Sequence, residues 1–337
     1  ERYNKNVTFY TKCGAGGGGR PRGARDGRRG SRAAFCPAGA SARGPALLPG
    51  GPCCYHDPMT QTPAAPSLTV SLVLHHSPLP RLFQTLGSLQ RAVGEARRAG
   101  VLGDCRLWLL DNSLDASYAA DARRQARETL DGAELPHRFL SLDENRGFGA
   151  GHNRALLDSR SDYHLVLNPD VELEAQALAE GLALLQRETA VVGLGPQAFK
   201  ADGSREFLCK RHPTPGVLLL RGFGPAWLRR RAQRRIARYE LRDLCSGEAV
   251  VEVPLLSGCF MLLRGQAARR ARGFDDGYFL YFEDFDLSLR LRPQGKLVYA
   301  PRVRIVHHGG YAAGKGWRHV AWFLRSALRF FRDHSWR

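Results

Sequence analysis

From Leu68 onward, short apolar runs alternate with amphipathic stretches, and the spacing predicts strands and helices in turn. LTVSLVLHH (68–76) is apolar enough for a strand buried on both faces. PLPRLFQTLGSLQRAVGEARRAG follows as a helix with Leu82, Thr85, Leu86 and Leu89 on one side. CRLWLLDNS (105–113), HRFLSLDEN (137–145) and YHLVLNPD (163–170) read as further strands. The helices between them are a polar one ending near Thr129, one opening at GAGHNRALLDS, and EAQALAEGLALLQRE with Leu178, Leu182 and Leu185 aligned. Such alternation implies an α/β fold with a parallel sheet and crossover helices. Ligands bind beyond the carboxyl ends of strands in sheets of this kind. Here those ends are His75-His76-Ser77, Asp111-Asn112-Ser113, Asp143-Glu144-Asn145 and Asn168-Pro169-Asp170.

Beyond Ala190 the pattern becomes mixed. GLGPQAFKADGSREFLCKR reads as a hairpin turning at Asp202-Gly203. Gly224 to Leu241 is a strongly basic helix candidate, and VVEVPLLSGCFMLLR reads as paired strands around Ser257-Gly258. KLVYAPRVRIVHHGG is another strand, and a last helix runs from about Lys315 to His334. Along that helix Trp317, Ala321, Leu324, Leu328 and Phe331 recur at a three-four spacing beside Arg318, Arg325, Arg329 and Arg332. Two readings stay open for it: a terminal helix packed on the domain, or an interfacial helix at anionic lipid.

Residues 1–66 differ. Their Gly, Arg, Ala and Pro runs have no hydrophobic period, so this low-complexity segment is expected to be disordered. It is read as sequence translated ahead of a start at Met59, not native to the folded domain. Of the eight cysteines, Cys13, Cys36, Cys53 and Cys54 fall in it, and Cys105, Cys209, Cys245 and Cys259 read as buried thiols of a reducing compartment. No CxxC pair or zinc-ligand spacing occurs. The net charge of +18 implies an anionic partner: nucleic acid, an anionic membrane surface or a phosphorylated substrate.

Against that basic background, GFDDGYFLYFEDFDLSLRL (273–291) interleaves five acids with six aromatics. Ionised carboxylates resist leaving water, so the cluster calls for a metal, a cation or a chemical task, unless its acids simply cap and solvate a helix start. Asn168-Pro169-Asp170 can be a turn, or can hold a divalent metal against a diphosphate. ENRGFGAGHN (144–153) is a Gly-rich loop opening a helix, where glycines allow close approach and the helix end favours an anion. Its G-x-G-x-G spacing is neither a dinucleotide fingerprint nor a phosphate loop with GK[ST]. His307-His308-Gly309-Gly310 ends an apolar strand; an unsupported His is usually a core or surface residue, but with Asp170 and the acidic cluster it can be a phosphate contact or a ligand that suits manganese as well as magnesium.

In order, DNS (111–113), ENRGFGAGHN, LNPD (167–170), SGCFMLLR (257–264), GFDDGYFLYFEDFDLSLRL and HHGG (307–310) resemble the family-2 inverting glycosyltransferases, in particular their rhamnosyltransferase-like branch. The resemblance spans about 68–335. It implies a GT-A fold: a Rossmann-like nucleotide-binding half (67–170) and an acceptor half (171–312) on a mixed central sheet, then a C-terminal basic amphipathic helix (313–337). It implies a nucleoside-diphosphate sugar donor, with thymine or uracil as base, and a glycan or lipid-linked glycan acceptor. Asp111 and Ser113 match positions that contact the nucleoside, and Asn145, Gly147 and Asn153 match the loop under the donor. Asn168 to Asp170 match the metal-binding motif, with Asp170 as ligand to Mg or Mn. Glu283-Asp284 match the acidic pair, with Asp284 as general base, and His307 matches a histidine that assists the metal. Two departures stand out: the first strand ends His75-His76-Ser77 rather than in a Thr-Tyr-Asn-like triplet, and Tyr311-Ala312 follow the final glycines where a Ser is usual.

The expected setting is the cytoplasm, with peripheral contact at the inner face of the cell membrane and no nucleic-acid partner. A basic nucleic-acid-binding protein and a metal-dependent phosphohydrolase using the same Asp and His residues are the alternatives.

Overall fold

The structure, a computed structural model, describes residues 65–132, 135–309 and 317–334. Internal contacts divide the chain into two compact units at Met59/Thr60, and all described residues belong to the second. The expectations for 1–64 and for Tyr311-Ala312 lie outside the described residues.

The first half follows the predicted alternation. It runs β1 (Leu68–Leu74), α1 (Leu79–Arg98), β2 (Cys105–Asp111), α2 (Ala116–Leu130), β3 (His137–Ser141), α3 (Phe148–Leu156) and β4 (Tyr163–Leu167). β1 pairs in parallel with β2 and β4, and β2 with β3. Every residue of β1 is buried, as a central strand covered on both faces requires. Leu82, Thr85, Leu86 and Leu89 form the buried side of α1. α2 starts where the Asp115 carboxylate accepts the Ser117 and Tyr118 N–H groups.

The second half adds β5 (Val171–Leu173), α4 (Ala177–Arg187), β6 (Val191–Lys200), β7 (Arg205–Glu206), α5 (Pro215–Phe223), α6 (Ala226–Arg231), α7 (Gln233–Tyr239), β8 (Val251–Glu252), β9 (Phe260–Arg264), α8 (Gly265–Arg270), α9 (Glu283–Leu291), β10 (Lys296–His307) and α10 (Trp317–His334). The sheet order is β3-β2-β1-β4-β9-β6-β10-β5, with β7 on β6 and β8 on β10. β9 runs antiparallel between β4 and β6, so the sheet is mixed. This places the 257–259 segment before β9 beside the end of β4, and the end of β10 beside β5.

Two sequence expectations need correction. The stretch 250–264 does not form strands paired with each other: β8 joins β10, whereas β9 inserts between β4 and β6. The basic helix expected over 224–241 is two short helices, α6 and α7, with α5 ahead of them. Thr214 caps an earlier start, its hydroxyl accepting the Val217 N–H, and Gly224-Pro225 ends that helix because proline offers no N–H to continue it. The hairpin at Asp202-Gly203 forms as expected. The four described cysteines are free and buried.

Candidate active site

The residues expected to face the nucleoside lie at the ends of β2 and β3. Asp111 is buried, and its Oδ1 accepts the Ser113 N–H at 3.0 Å. It lines a cleft of about 530 Å³ with Ser141, Leu142, Asp143 and Arg123. A neighbouring cleft of about 690 Å³ is lined by Asn112, Glu144, Arg146, Gly151, Asn153 and Asp276, among others. At the expected first-strand triplet, His75 and His76 are exposed. His75 Nδ1 lies 3.2 Å from the Asn112 carbonyl, and His76 stacks near Tyr118.

The Gly-rich loop is built differently from the expectation. Asn145 Oδ1 accepts the Gly147 N–H, turning the chain into α3. Gly147 has φ of 100°, and a Cβ there would lie 2.0 Å from the Phe279 carbonyl oxygen. Phe148 N–H donates to that same carbonyl at 3.0 Å. The close approach is therefore made by the chain's own 273–282 loop, and one donor of the α3 N-terminus is already engaged. Asn153 is also occupied: its Nδ2 donates to Phe274 O and Asp276 Oδ1, and its Oδ1 accepts the Phe274 N–H. It braces the acidic loop and has no amide hydrogen left to offer a donor.

The structure brings Asp170 and His307 together. His307 Nε2 stands 3.7 Å from Asp170 Oδ1, and that oxygen is buried with no hydrogen-bond partner. On its other side His307 Nδ1 lies 2.8 Å from Glu206 Oε2. Burial works against an imidazolium here, but the Glu206 hydrogen bond and the Asp170 charge prevail and raise the His307 pKa. A Cβ on Gly309 would sit 2.3 Å from Asp170 Oδ2 and 2.8 Å from His307 Nε2, so a side chain there would fill the space beside both groups. An orphaned carboxylate oxygen beside an imidazole nitrogen suits a divalent cation of the Mg or Mn type. Among the described residues, no three His, Cys, Asp or Glu side chains converge as a metal site by themselves. The protein would supply two ligands, leaving the others to diphosphate oxygens and water. Asn168 positions this turn by donating its N–H to the Cys259 carbonyl at 2.9 Å.

Asp284 stands on the first turn of α9. Tyr281 and Phe282 precede the pair with φ of 71° and 67°, left-handed values that cost non-glycine residues about 1–2 kcal/mol each. The turn is held by aromatic packing of Phe282 on Phe285, Phe323 and Phe330. Asp284 Oδ2 accepts the Gly258 N–H at 2.8 Å and Oδ1 the Phe285 N–H at 2.9 Å. Burial pushes the Asp284 pKa up to about 6, while these two donors and the Lys210 charge pull it back. Glu283 is buried, with Oε2 unpartnered. Burial, then the Asp284 charge, drive its pKa well above the carboxylate range. Adjacent carboxyls that cannot both ionise leave one charge on the pair.

The 257–259 segment links the two halves of the site. Gly258 N–H binds Asp284, and the next residue's carbonyl binds Asn168. The buried Cys259 thiol, whose pKa burial raises, feels the charges of Glu206, Asp170 and Asp284. The sequence reading missed Glu206 and Lys210. Lys210 is buried, donates from Nζ to the Phe207 carbonyl, and has its pKa lowered to about 8 by burial and then by Arg221. A lysine ending the apolar run FLCK was a usable signal for it; Glu206, in a two-residue strand, had none.

The family profile described as "Glycosyl transferase family 2" matches residues 89–260. N-acetylglucosaminyl-diphospho-decaprenol L-rhamnosyltransferase of Mycobacterium tuberculosis is 30% identical over 284 residues, covering 78% of this chain and 84% of the relative. Rhamnosyltransferase WbbL of Escherichia coli K12 is 25% identical over 240 residues, 66% of this chain and 86% of the relative. Among solved structures, GalNAc-T7 with UDP, GalNAc and Mn2+ superimposes with a TM-score of 0.56 at 12% identity, over 80% of this chain and 48% of that one. The chain thus spans about half the length of that protein. Mannosyltransferase PcManGT of Pyrobaculum calidifontis, in complex with GDP-Man and Mn2+, gives 0.53 at 15% identity, over 80% and 66%. These likenesses establish the GT-A fold. With the profile match and the 30% identical relative, they place this chain in glycosyl transferase family 2, as a rhamnosyltransferase-like glycosyltransferase.

Proposed function

We propose that this chain transfers rhamnose, with inversion, from a dTDP- or UDP-linked donor to a hydroxyl of a lipid-linked glycan. The observation that carries the reading is Asp284: a carboxylate buried enough to be basic near neutral pH, fixed by the Gly258 N–H, one short segment from Asp170 and His307. Asp284 takes the proton of the acceptor hydroxyl as the hydroxyl oxygen bonds to the anomeric carbon. The bond from that carbon to the diphosphate oxygen breaks on the opposite face, and the configuration inverts. Glu283, held protonated, keeps the pair's single charge on Asp284. Asp170 and His307 would hold Mg or Mn, which when bound stabilises negative charge on the diphosphate. Asp111 and Ser113 hold the nucleoside, Asn168 sets the metal turn, and Asn145, Gly147 and Asn153 shape the wall beneath the donor. In this reading 67–170 is the donor half, 171–312 the acceptor half and 313–337 a helix at the membrane. The enzyme works at the inner face of the cell membrane; the relative named for an N-acetylglucosaminyl-diphospho-decaprenol and the basic charge support a lipid-linked acceptor.

The test is donor binding and transfer across a panel of nucleotide-sugars with Mn2+ or Mg2+. Rhamnosyl transfer that needs metal and fails with Asp170→Ala supports the reading. Folded protein that binds no donor would overturn it, and sugar release independent of acceptor would favour the phosphohydrolase.

A further inference from the structure

Among the described residues, eleven large hydrophobics are exposed, and six of them lie on just two regions: Leu219 and Trp227 on α5–α6, and Trp317, Val320, Leu324 and Leu328 on α10. Scattered exposed hydrophobics are ordinary, but clustering marks an interaction surface. α5 of the first region and α10 pack into one satellite core. Val217, Leu218 and Tyr239 join Ala327, Phe330, Phe331, Tyr278 and Phe282 there, so α5, α7 and α10 form one helical layer.

α10 resolves into three faces. Ser326, Ala327, Phe330 and Phe331 are buried on the domain. At about 100° per residue, Trp317, Val320, Leu324 and Leu328 share a stripe that adjoins the buried face and takes in Phe331 at its C-terminal end, and these four are exposed: 79% for Trp317 and 61% for Leu328. Arg318, Arg325 and Arg332 are exposed along the border of that stripe. Domain packing therefore accounts for Phe331 but not for the rest of the apolar period that the sequence displays. α6 has no buried residue at all, and Trp227 is 67% exposed. Pro215–Tyr239 carries seven arginines and no acid. A two-turn helix this polar and unpacked gains little stability from itself. No described helix is long and apolar enough to cross a membrane.

We propose that α5–α7 and α10 together form a docking face for an anionic lipid bilayer. Trp227, Leu219, Trp317, Leu324 and Leu328 enter the headgroup–acyl boundary, and the flanking arginines engage lipid phosphates. An apolar stripe bordered by cations is the arrangement that such a surface holds, since apolar burial and charge attraction act together. The choice of lipid over nucleic acid rests on the tryptophans and leucines, which a phosphate backbone alone would not engage. The proposal deepens the reading above by naming what brings the enzyme to a lipid-linked acceptor, yet its test does not require transfer.

The full chain is mixed with neutral phosphatidylcholine vesicles, and with vesicles containing phosphatidylglycerol, in co-flotation at low and high salt. Binding is expected to the anionic vesicles, weakening as salt rises. Two variants localise it. Trp227→Ser/Leu324→Ser/Leu328→Ser removes apolar insertion. Arg230→Gln/Arg234→Gln/Arg235→Gln removes charge, with each arginine near an anionic surface worth about fivefold. Each variant should lose tenfold or more in vesicle affinity while keeping its melting temperature and its transfer to a short-chain, water-soluble acceptor. No vesicle binding, binding unaffected by both variants, dimerisation through these residues, or equal affinity for single-stranded RNA that only the arginine variant reduces would each overturn the proposal. Vesicle binding without rhamnosyl transfer would leave the docking face standing and refute the donor reading instead.

Discussion

Replacing Asp284 by Asn should remove transfer and, at neutral pH, relieve the fold of a burden. The Asp284 pKa moves from its ordinary 3.8 to about 6, which corresponds to about 3 kcal/mol between the charged and neutral forms. The folded value lies above the unfolded one, so the native state holds this proton more tightly. That contribution is fully present below about pH 4 and lost as pH rises through about 6. Above pH 7 the ionised carboxylate therefore costs up to about 3 kcal/mol, an upper figure because Asp284 keeps partial contact with solvent. Asn carries no such charge. It does leave the Gly258 or the Phe285 N–H facing an amide NH2 group, at a cost of about 1–3 kcal/mol, but that cost does not depend on pH.

The informative quantity is thus the stability of Asp284→Asn minus that of the parent, followed across pH. It should rise by about 2–3 kcal/mol between pH 4 and pH 8, or about 5 °C in melting temperature. Glu283 reinforces the trend, because without the neighbouring charge it too ionises more easily in the variant. Thermal unfolding in a pH series reads this directly. In the parent, kcat/KM should fall tenfold per pH unit below about 6. A flat stability difference across the series would show that Asp284 is not desolvated as described, and transfer surviving in Asp284→Asn would place the base elsewhere.

Three other perturbations probe the neighbouring parts. Lys210→Met removes the cation that favours ionised Asp284, so the acid limb of kcat/KM should move to higher pH; an unmoved limb would show that Lys210 serves packing alone. Glu206→Ala should free the His307 ring, lowering metal-dependent donor affinity about 10–100-fold and altering the nitrogen NMR signals that report its tautomer; unchanged signals would count against an orienting carboxylate. Gly147→Ala forces a left-handed φ on alanine and drives its methyl into the Phe279 carbonyl, so the melting temperature should drop by several degrees; an unaltered melt would mean that the 273–282 loop does not bear on α3.

What could be read beforehand follows from what each signal depends on. β1, β2, β4 and the buried faces of α1 and α4 were legible because a parallel sheet needs continuous apolar strands and one-sided helices, and both leave a period in the sequence. The pairing of β9 was not legible. Its four apolar residues Phe260–Leu263 look the same whether they meet β8 or slot between β4 and β6, since partner choice is a long-range matter. The Gly-rich loop misled for a similar reason. Glycines announce that a backbone approaches closely, without saying whether it belongs to a diphosphate or to Phe279. Asp170 and His307 came out of an ordered set of motifs, whereas Glu206 holds His307 from a strand too short to carry any pattern.

The acidic pair shows how these levels combine. Two successive left-handed aromatic residues and an unpartnered Glu283 oxygen are each unfavourable, and local sequence preference would not place them together. They persist because Phe282 is pinned by Phe323 and Phe330 of α10, while Asn153 and the Phe279 carbonyl tie the same loop to α3. Packing from two directions thus fixes a turn that neither sequence neighbour favours, and that turn aims Asp284 at the Gly258 N–H. The helix that offers its outer stripe to solvent is therefore also the one whose inner face holds Asp284 in position. For this reason the variants of the docking face are confined to exposed residues: substitution of Phe323 or Phe330 would disturb Asp284 and the lipid-facing helix at once, and could not separate the two roles.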